Sequence, residues 1–448
     1  MKKIVFVALN SSWSQSNLAL YYLRESVCDL DYESTILTFT MKEPLMQILN
    51  EVYRHNADII CLSAYIWNRP QLLRIYRELA KLLPEALFVV GGPEASHFQS
   101  LPRCEVILGP GERAFRALAE AGFIGSIDSA QEILLKDIPF PYRSSDLEDL
   151  QDHLVYYECY RGCPYNCIYC LSACDSRHQP RFDLSQPSEQ EKLYNELTTL
   201  SRLKPRTLKF IDRSFNVQKD LAHAIWRYIL EKLPEHDSHF EIYPDLLDED
   251  DFAILEQIPE GKIRFEIGIQ STNDEVLQRC GRQSSWEKSK AGLISLKERT
   301  KVRIHADLIA GLPGEDFDSV TRSLDELCAC EPAAVQLGML KILPDTPMLE
   351  IARENSYLWL DDPPYQVLAS DALSYTELCE LDDYAHLLSL YWNKEEFPQL
   401  WHELLQKYRA TELLRKLRAI HLRQGLPLHS VSAKRRRENI HNLRDHLC

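Results

Sequence analysis

The sequence has no apolar run as long as the ~18 residues that a membrane-spanning helix requires, and it has no low-complexity tract. Its first residues, MKKIVFVALN, contain two lysines and a short apolar run, without the small-residue cleavage site of a signal peptide. We therefore expect IVFVAL (4–9) to be a buried strand rather than a leader, and we expect the protein to be cytoplasmic.

A disulfide framework is also not indicated by the 13 cysteines, because their number is odd and no secretion signal precedes them. Most of these cysteines are isolated in the sequence, but five of them lie between positions 159 and 174. Such a concentration in one short segment requires a chemical reason, and metal binding is the leading one.

Positive charge is in deficit, since 51 Lys and Arg residues stand against 67 Asp and Glu residues. The formal net charge of −16 argues against a general nucleic-acid-binding surface. The exception is the segment 405–448, which contains eleven Lys or Arg and three Asp or Glu residues. Two interpretations stay open for this basic segment: a solvated helix face, which is the commoner case, or a contact with RNA or a peptide.

Strand and helix patterns alternate over residues 1–135, which predicts an open parallel sheet in a Rossmann-like α/β domain. Ligands of such sheets bind at the carboxyl ends of the strands. The polar residues and glycines predicted at those ends are Asn10, Ser11, Ser63, Gly91, Gly92, Gly111 and Glu112. Ordinary strand-to-helix turns are the alternative explanation of this pattern.

A Pro-rich and acidic segment, 136–150, is predicted to be a linker. A second strand–helix series over 151–355 contains six candidate strands and predicts a partial (β/α)6 TIM-type barrel. Residues 356–448 are predicted to form a helical C-terminal domain with a basic tail. Functional residues of barrels lie at the carboxyl ends of the strands, and the cysteine-rich segment follows the first barrel strand directly.

The cysteine-rich segment reads CYRGCPYNCIYC (159–170), and Cys163, Cys167 and Cys170 within it form a C-x3-C-x2-C group. A structural zinc site needs a fourth ligand, which Cys159 or Cys174 could supply. A four-iron four-sulfur cluster normally takes four cysteines, so a cluster held by three keeps one iron with an open coordination position. Such an iron can bind a substrate or a cofactor directly.

CPYNCIYC, with Arg-Gly before it and Tyr169 inside it, resembles the signature of the radical S-adenosylmethionine (SAM) superfamily. The resemblance implies that the three cysteines hold a 4Fe–4S cluster whose open iron chelates the amino and carboxylate groups of SAM. It also implies reductive cleavage of SAM to a 5′-deoxyadenosyl radical, with electrons from a reductant such as flavodoxin or ferredoxin. Cys159 lies outside this spacing and is expected to be a packed thiol.

Later barrel segments resemble the SAM-contacting segments of the same superfamily, in the expected order. FIDRSFN follows the second strand, although the usual glycine-glycine-glutamate motif is absent, and HFEIYP, FEIGIQSTN and HADLIAGLPGED match the third, fourth and fifth strands. The residues that the resemblance implies for SAM binding are Asp212, Arg213, Asn216, Glu241, Glu266, Gln270, Ser271 and Asp307. Taken singly, each could instead be a hydrogen-bonded polar group of the barrel.

The N-terminal pieces IICLSAYIWN, VVGGPEAS and ILGPGERAF resemble the cobalamin-binding Rossmann domain that precedes many such barrels. The resemblance implies that the strand-end residues from Asn10 to Glu112 named above contact cobalamin. The D-x-H-x-x-G motif is absent, so no histidine is expected to ligate cobalt. The alternative is that the domain has lost the cofactor and is now a scaffold. The whole chain, including PPYQVLASDALSYTELCEL (363–381), resembles a bacterial subfamily with an uncharacterised C-terminal domain.

These resemblances together imply a cobalamin-dependent radical SAM enzyme, and in the first place a methyltransferase that acts on an unactivated carbon. A second hypothesis is a radical SAM enzyme that modifies RNA, a peptide or a small metabolite without methyl transfer. A third is an iron–sulfur sensor that keeps the fold without turnover. The substrate and the oligomeric state do not follow from the sequence.

Overall fold

The computed structural model describes residues 1–124, 133–174 and 179–445. The chain divides into two units, of which the first comprises Met1–Arg161 and Gln179–Ile211 and the second comprises Gly162–His178 and Asp212–Cys448. Within the described ranges, no helix is both long enough and apolar enough to cross a membrane. Because the units do not follow chain order, the boundaries of the four segments predicted from the sequence stay predictions.

The first unit begins with a parallel sheet and its covering helices. Its elements are β1 (Lys2–Asn10), α1 (Leu18–Ser26), β2 (Tyr32–Thr40), α2 (Leu45–Arg54), β3 (Ile59–Ser63), α3 (Arg69–Leu82), β4 (Leu87–Gly91), β5 (Cys104–Val106) and α4 (Glu112–Glu120). The strand order is β2-β1-β3-β4-β5, and each neighbouring pair is parallel. This is the Rossmann-like sheet predicted for the N-terminal part, with crossover helices between its strands.

The interior strand β1 is apolar without interruption from Ile4 to Leu9 because both faces of the sheet are covered. Val5, Val7 and Leu9 pack in the core formed with α2 and α3. Ile4 and Phe6 pack on the opposite face, in the core formed with α1 and α4. Alternate side chains of a strand point to opposite faces, so a strand between two helical layers needs apolar residues at every position.

The remaining elements of the first unit are α5 (Leu147–Leu150), β6 (Leu154–Tyr157), β7 (Tyr160–Arg161), β8 (Gln179–Pro180), α6 (Pro187–Arg202) and β9 (Thr207–Phe210). Strands β6 and β9 are parallel neighbours, whereas β7 and β8 form a short antiparallel pair. The segment predicted to be a linker is packed rather than free. Ile138, Tyr142 and Asp146 in it are buried, and Arg24 donates two hydrogen bonds to the Asp146 carboxylate, at 2.6 and 2.8 Å.

The second unit contains the other four barrel strands and the C-terminal helices. Its elements are α7 (Lys219–Lys232), β10 (Asp237–Glu241), α8 (Glu249–Leu255), β11 (Ile263–Gln270), α9 (Asp274–Arg279), α10 (Trp286–Arg299), β12 (Arg303–Ala310), α11 (Phe317–Ala329), β13 (Ala334–Met339), α12 (Met348–Glu354), β14 (Leu358–Trp359), β15 (Val367–Ala369), α13 (Tyr375–Leu387), α14 (Pro398–Leu405), α15 (Ala410–Arg423) and α16 (Ala433–Asp445). Strands β10 to β13 are parallel, and with β6 and β9 they are the six strands of the predicted partial barrel.

The barrel strands β11 and β12 alternate between buried residues and more exposed ones. In β11, which reads IRFEIGIQ, every second residue is buried, and the buried Phe265 contacts Trp226 of α7 with ring centroids 5.7 Å apart. The intervening residues, among them Glu266 and Gln270, line a cavity of the same unit. The period-two pattern therefore separates an apolar face that packs on helices from a polar face that is free for chemistry.

The edge of β13 is covered by the C-terminal region. The side-chain amide of Asn393 donates to the Val335 carbonyl at 2.9 Å, and its oxygen accepts from the Val335 amide at 2.9 Å. Farther along the chain, the amide of Val367 donates to the Leu340 carbonyl, also at 2.9 Å. An open strand edge is a template for unwanted pairing, and these contacts satisfy backbone groups that an open barrel leaves exposed.

Candidate functional site

Cys163, Cys167 and Cys170 line one cavity of about 150 Å³ in the second unit. The other residues that line it are Tyr165, Tyr169, Ala173, Arg213, Ser214, Glu241, Ile242, Tyr243, Glu266, Gly268, Gln270, Arg282 and Asp307. The three cysteines of the predicted C-x3-C-x2-C group are therefore brought together. Cys159 is fully buried in the first unit and does not line the cavity, while the side chain of Cys174 lies outside the described residues.

The loop that carries the three cysteines is held by backbone contacts. The amide of Ile168 donates to the Cys280 carbonyl at 3.0 Å, and the Ile168 carbonyl accepts from the Met348 amide at 3.0 Å. Gly281 has a φ of +68°, and a Cβ atom there would lie 2.7 Å from the Asn166 carbonyl oxygen. A glycine is required at position 281 because the cysteine loop approaches its backbone so closely.

The three thiols lie in one cavity, as the ligands of one cluster must. In the parts of the chain that the structure describes, no three His, Cys, Asp or Glu side chains converge on a point that one metal ion could occupy. A cluster places its cysteines on different iron atoms, so its thiolates need not converge on one point. Burial raises the pKa of the Cys163 thiol, against hydrogen bonds from the Tyr165 backbone and the Ser214 hydroxyl that lower it.

Gln270 and Gly268 together shape the wall of the cavity at the end of β11. Gln270 has a φ of +70°, which is strained for a residue other than glycine, and the β11–β12 register shifts between Gly268 and Gln270. A Cβ atom at Gly268 would overlap the Gln270 side-chain nitrogen. The Gln270 Oε1 atom is buried and has no hydrogen-bond partner among the described residues. An unsatisfied acceptor that lines a cavity, on a residue with a strained backbone, indicates a ligand site.

The acidic residues predicted on the third, fourth and fifth strands also line this cavity. The Glu241 carboxylate accepts from Arg213 at 3.1 Å, and the Glu266 carboxylate lies 2.8 Å from His239 Nε2. Asp307 pairs with Gly268 in the β11–β12 register. Five predicted SAM contacts therefore share the cavity with the cysteines: Arg213, Glu241, Glu266, Gln270 and Asp307.

The other three predicted SAM contacts do not line the cavity. Asp212 is almost fully buried. The Asn216 side-chain amide donates to the Tyr243 carbonyl at 2.8 Å and accepts from the Tyr243 amide at 2.9 Å, so it fixes the backbone after β10. The Ser271 hydroxyl donates to Glu315 at 2.6 Å. The side chains of Asp212, Asn216 and Ser271 therefore point into the protein. Asn216 and Ser271 are hydrogen-bonded polar groups of the barrel, which is the alternative that the sequence left open for them.

A stack of two tyrosines and an arginine in the cavity wall was missed by sequence reasoning. The rings of Tyr165 and Tyr243 have centroids 4.2 Å apart, and the guanidinium of Arg282 lies 4.4 Å from the Tyr243 ring centroid. Arg282 also donates to the Gly268 carbonyl and, at 2.7 Å, to the Tyr243 hydroxyl. Arg282 lies in the loop between α9 and α10, so the rule that functional residues follow strands could not find it.

The first unit has two cavities at the carboxyl ends of its parallel strands, of about 340 and 220 Å³. Of the residues predicted there, Asn10 and Glu112 line the larger cavity, and the smaller one is lined by Ser63, Gly91, Gly92, Gly111 and Glu112. Ser11 lines neither, because its hydroxyl donates to the Gln15 side chain at 2.7 Å.

Two buried polar atoms in the wall of the larger cavity have no hydrogen-bond partner among the described residues, the Asn17 Oδ1 and the Tyr22 hydroxyl. The same wall holds a stacked pair, Tyr65 and Trp67, with ring centroids 4.3 Å apart. Among the described residues, no histidine lines either cavity. Unsatisfied polar atoms beside an aromatic pair fit a large ligand with both apolar and amide groups.

Arg161 forms a charged wall common to both cavities of the first unit. Its Nη2 atom lies 2.8 Å from a carboxylate oxygen of Glu112 and 2.8 Å from one of Glu158. In the wall of the smaller cavity, Gly92 has a φ of +99°, and a Cβ atom there would overlap the Ala64 carbonyl oxygen. The glycine predicted at this strand end is therefore required by a close backbone approach.

Three parts of the chain match protein-family models. Residues 157–327 match the radical SAM superfamily, residues 4–119 match the B12 binding domain, and residues 353–436 match a protein of unknown function, DUF4080. The first match covers the cysteine loop and the barrel strands β9 to β12, and the second covers most of the five-stranded sheet.

One curated relative aligns with most of the chain. The cobalamin-dependent radical SAM methyltransferase TokK of Streptomyces tokunonensis is 22% identical over 334 residues, which cover 65% of this chain and 48% of TokK. The chain thus spans about half the length of this relative.

Two solved structures share the fold. The radical SAM methyltransferase TsrM from Kitasatospora setae, with tryptophan substrate and a SAM analogue bound, has a TM-score of 0.65 at 17% identity and covers 79% of this chain and 76% of that chain. The cobalamin-dependent radical enzyme OxsB, with aqua-cobalamin bound, has a TM-score of 0.69 at 14% identity and covers 100% of this chain and 80% of that chain. At such identities the likeness shows the fold, which confirms the predicted architecture of Rossmann-like domain, partial barrel and helical C-terminal region. The chain therefore carries a B12-binding domain and the domain of the radical SAM superfamily, followed by a DUF4080 domain.

Proposed function

We propose that this chain is a cobalamin-dependent radical SAM enzyme, and that it is a methyltransferase acting on an unactivated carbon. The observation that carries the proposal is one cavity in which three cysteine thiols face the strand-end groups Glu241, Gln270 and Asp307. The match of the preceding sheet to the B12 binding domain supports the cobalamin part, and the likeness to TokK supports methyl transfer.

The residues of the second-unit cavity fit a 4Fe–4S cluster with bound SAM. Cys163, Cys167 and Cys170 would hold the cluster, and three ligands leave one iron open for a cofactor. Arg282 is a buried cation that could neutralise a carboxylate, since its guanidinium presents several donors in a fixed geometry. Carboxylates accept hydrogen bonds from ammonium and hydroxyl groups, so Glu241 and Asp307 fit the amino group and the ribose of SAM. The unsatisfied Gln270 Oε1 provides one more acceptor.

The cavities of the first unit fit cobalamin through their unsatisfied polar atoms and their glycine-lined edge. Asn10, Asn17 and Tyr22 would hydrogen-bond amide groups of the ligand, while the glycines at 91, 92 and 111 allow its close approach. When bound, the cluster and SAM supply radical chemistry and cobalamin supplies the methyl group.

The contribution of the chain's own residues is to position the ligands and to exclude water. Tyr165 and Tyr243 provide an apolar wall beside the thiols, and Arg282 fixes this wall to the backbone of β11 through Gly268. Pairing of Glu241 with Arg213, and of Glu266 with His239, fixes the orientation of two carboxylates before a ligand arrives. Groups that are already oriented lose little entropy when they bind.

Anaerobic reconstitution with iron, sulfide and hydroxocobalamin tests the proposal. The visible spectrum would report both cofactors, and the reaction with SAM and a strong reductant should yield 5′-deoxyadenosine and S-adenosylhomocysteine. A protein that takes up the cluster but no corrinoid would overturn the methyl-transfer assignment. A cluster that never cleaves SAM would instead favour an iron–sulfur sensor.

A second candidate is a radical SAM enzyme that modifies RNA, a peptide or a small metabolite without methyl transfer. The basic helix α16 favours a polymer, because it turns Arg436 inward onto Glu396 and exposes Lys434, Arg435 and Arg437. Formation of 5′-deoxyadenosine without S-adenosylhomocysteine would support this candidate. A substrate and a reductant are needed in either case, and flavodoxin or ferredoxin as the reductant and a cytoplasmic location stay predictions.

A further inference from the structure

Glu315 is a buried carboxyl group in the GLPGED segment that follows β12, and only 1% of its surface is exposed. Its Oε1 atom accepts hydrogen bonds from the Ser271 hydroxyl at 2.6 Å and from the Ser319 hydroxyl at 3.2 Å. Its Oε2 atom is buried and has no hydrogen-bond partner among the described residues. Such a group is costly to bury, so its place in the fold requires an explanation.

The contacts of Glu315 belong to a set that fastens the turn after β11 onto α11. Ser323 of α11 accepts from the Thr272 amide at 3.0 Å, and the two hydroxyls lie 3.1 Å apart. The Asn273 amide donates to the Ser271 hydroxyl at 3.1 Å. Residues 271–273 are therefore held by side chains on the neighbouring segment, and Glu315 provides the contact nearest to Gln270.

These hydrogen bonds explain why Gln270 retains its unfavourable backbone conformation. A non-glycine residue at φ +70° persists only when its surroundings determine it, and Gln270 is followed directly by the residue that bonds to Glu315. The strained backbone in turn places the Gln270 side chain in the wall of the cavity. Without the bond from Ser271, relaxation of the turn would move this side chain.

The charge state of Glu315 agrees with a positioning role rather than an ion pair. Burial raises the pKa of Glu315 to about 7, although the hydrogen bonds from Ser271 and Ser319 act in the opposite direction. The charged groups that act on it are Asp316, which raises the pKa, and Arg322, which lowers it. A carboxyl group that is partly protonated at neutral pH still accepts hydrogen bonds on its carbonyl oxygen.

We propose that Glu315 is a positioning residue of the SAM site, which acts through Ser271 to fix the backbone of Gln270. The identity of the ligand rests on the function proposed above. The tie between Glu315, Ser271 and Gln270 is a property of the chain itself, so it can be tested with and without SAM.

The first test measures SAM affinity by anaerobic equilibrium dialysis of the reconstituted protein. Glu315→Ala and Ser271→Ala should each weaken SAM binding about tenfold, and the double variant should be no weaker than either single variant. Glu315→Gln keeps an accepting oxygen and should bind SAM within about threefold of the wild type. If Glu315→Ala does not accumulate as folded protein, Ser271→Ala, which removes one hydroxyl group, carries the test.

Asp325→Ala is the matched control, because Asp325 is a carboxylate on α11, the helix that follows Glu315, and it accepts from the Thr411 amide and hydroxyl at 2.8 and 2.9 Å. It should lose stability and keep its SAM affinity. Wild-type affinity in Glu315→Ala, an equal loss in Asp325→Ala or Glu315→Gln, or multiplying losses in the double variant would each overturn the proposal.

The second test follows amide hydrogen exchange of the protein without SAM. Glu315→Ala and Ser271→Ala should speed exchange at residues 271–273, whereas Asp325→Ala should leave it unchanged. Unchanged exchange in the first two variants would overturn the tie. If the wild-type protein does not bind SAM but the variants change amide exchange as expected, the proposed function is refuted. The role of Glu315 in fixing the backbone at Gln270 would then still stand.

Discussion

The cavities of the two units both lie at the carboxyl ends of parallel strands, but the two units build them differently. In the first unit β1 and β3 are buried on both faces along most of their length, so the polar groups that line the cavities lie at their last residues, Asn10 and Ser63, and in the loops beyond them. In the second unit β11 alternates, so that Glu266 and Gln270 project from the strand itself into the cavity. The site in the first unit therefore depends on the path of the backbone, and the site in the second unit depends on which side chains face the cavity.

Loss of the cluster is the largest effect that we expect, and it is confined to the second-unit cavity. Cys163→Ala removes one of three thiols and should abolish the cluster, because no fourth cysteine lines the cavity among the described residues. Iron content and visible absorbance after anaerobic reconstitution would measure this. Cys159→Ala is the control, since that thiol is equally buried and lies outside the cavity; loss of the cluster there would show that the ligand set is wrong.

A glycine substitution should produce the next largest effect, in the first unit. Gly92→Ala combines a φ of +99° with overlap of the Ala64 carbonyl, and we expect a loss of roughly 3 kcal/mol in the free energy of unfolding. Gly109→Ala is the matched control, because Gly109 has a φ of +75° but nothing within 4 Å of its added Cβ, and it should cost about 1 kcal/mol. Urea unfolding measures both, and equal losses would contradict a site that depends on close backbone approach.

The polar interior of the barrel should make the second unit sensitive to acid. Burial lowers the pKa of His305 to about 4, below the ordinary value of 6.5 that holds in the unfolded chain. The stability that neutral His305 contributes is thus fully present above pH 6.5 and is lost as the pH falls towards 4, by at most about 2 kcal/mol at pH 5.

The measurement for His305 is the free energy of unfolding at pH 7.5 and pH 5.0, compared with His305→Gln. The variant should lose less stability on acidification than the wild type, because it lacks the titrating ring. Identical pH dependence of the two proteins would show that the barrel interior hydrates this position. Glu315 contributes a pH dependence of the opposite sign, because its raised pKa makes the folded protein less stable as the pH rises. This contribution is the same in the wild type and in His305→Gln.

A smaller effect is expected for a glycine of the second unit whose added Cβ atom would overlap a side chain in the cavity wall. Gly268→Ala would push the Gln270 side chain from its place and should weaken SAM binding about tenfold with little change in fold. Gly338→Ala in β13 is the control, because its added Cβ would meet only the Leu308 carbonyl oxygen at an ordinary 3.7 Å. Equilibrium dialysis with SAM would measure both; if the two variants bind alike, the second site does not depend on Gln270.

Much of the fold could be predicted from local patterns. The continuous apolar run of β1 and the alternation of β11 each follow from which faces of the strand are covered. The spacing of Cys163, Cys167 and Cys170 sufficed to place three residues in one cavity. These signals are local in sequence, which is why they can be read without a structure.

What could not be predicted depends on contacts between distant residues. Arg282 belongs to the site because its loop folds back over Tyr243, and no local pattern marks it. Ser271 follows Gln270 directly and yet points away from the cavity, because Glu315 accepts its hydroxyl hydrogen. The segment 136–150 reads as a linker by composition, but the buried pairing of Arg24 with Asp146 packs it onto the first unit.

The hydrogen bonds between the Asn393 side-chain amide and the Val335 backbone limit where the chain can be truncated. Asn393 lies inside the DUF4080 match, so a fragment that keeps β13 but ends before that match begins at residue 353 would leave β13 with an unpaired edge. Such a fragment would add strands from other copies and aggregate rather than behave as a minimal catalytic core. The domain of unknown function is thus an integral part of the barrel's fold, and it should be kept in any shortened version made for crystallisation or assay.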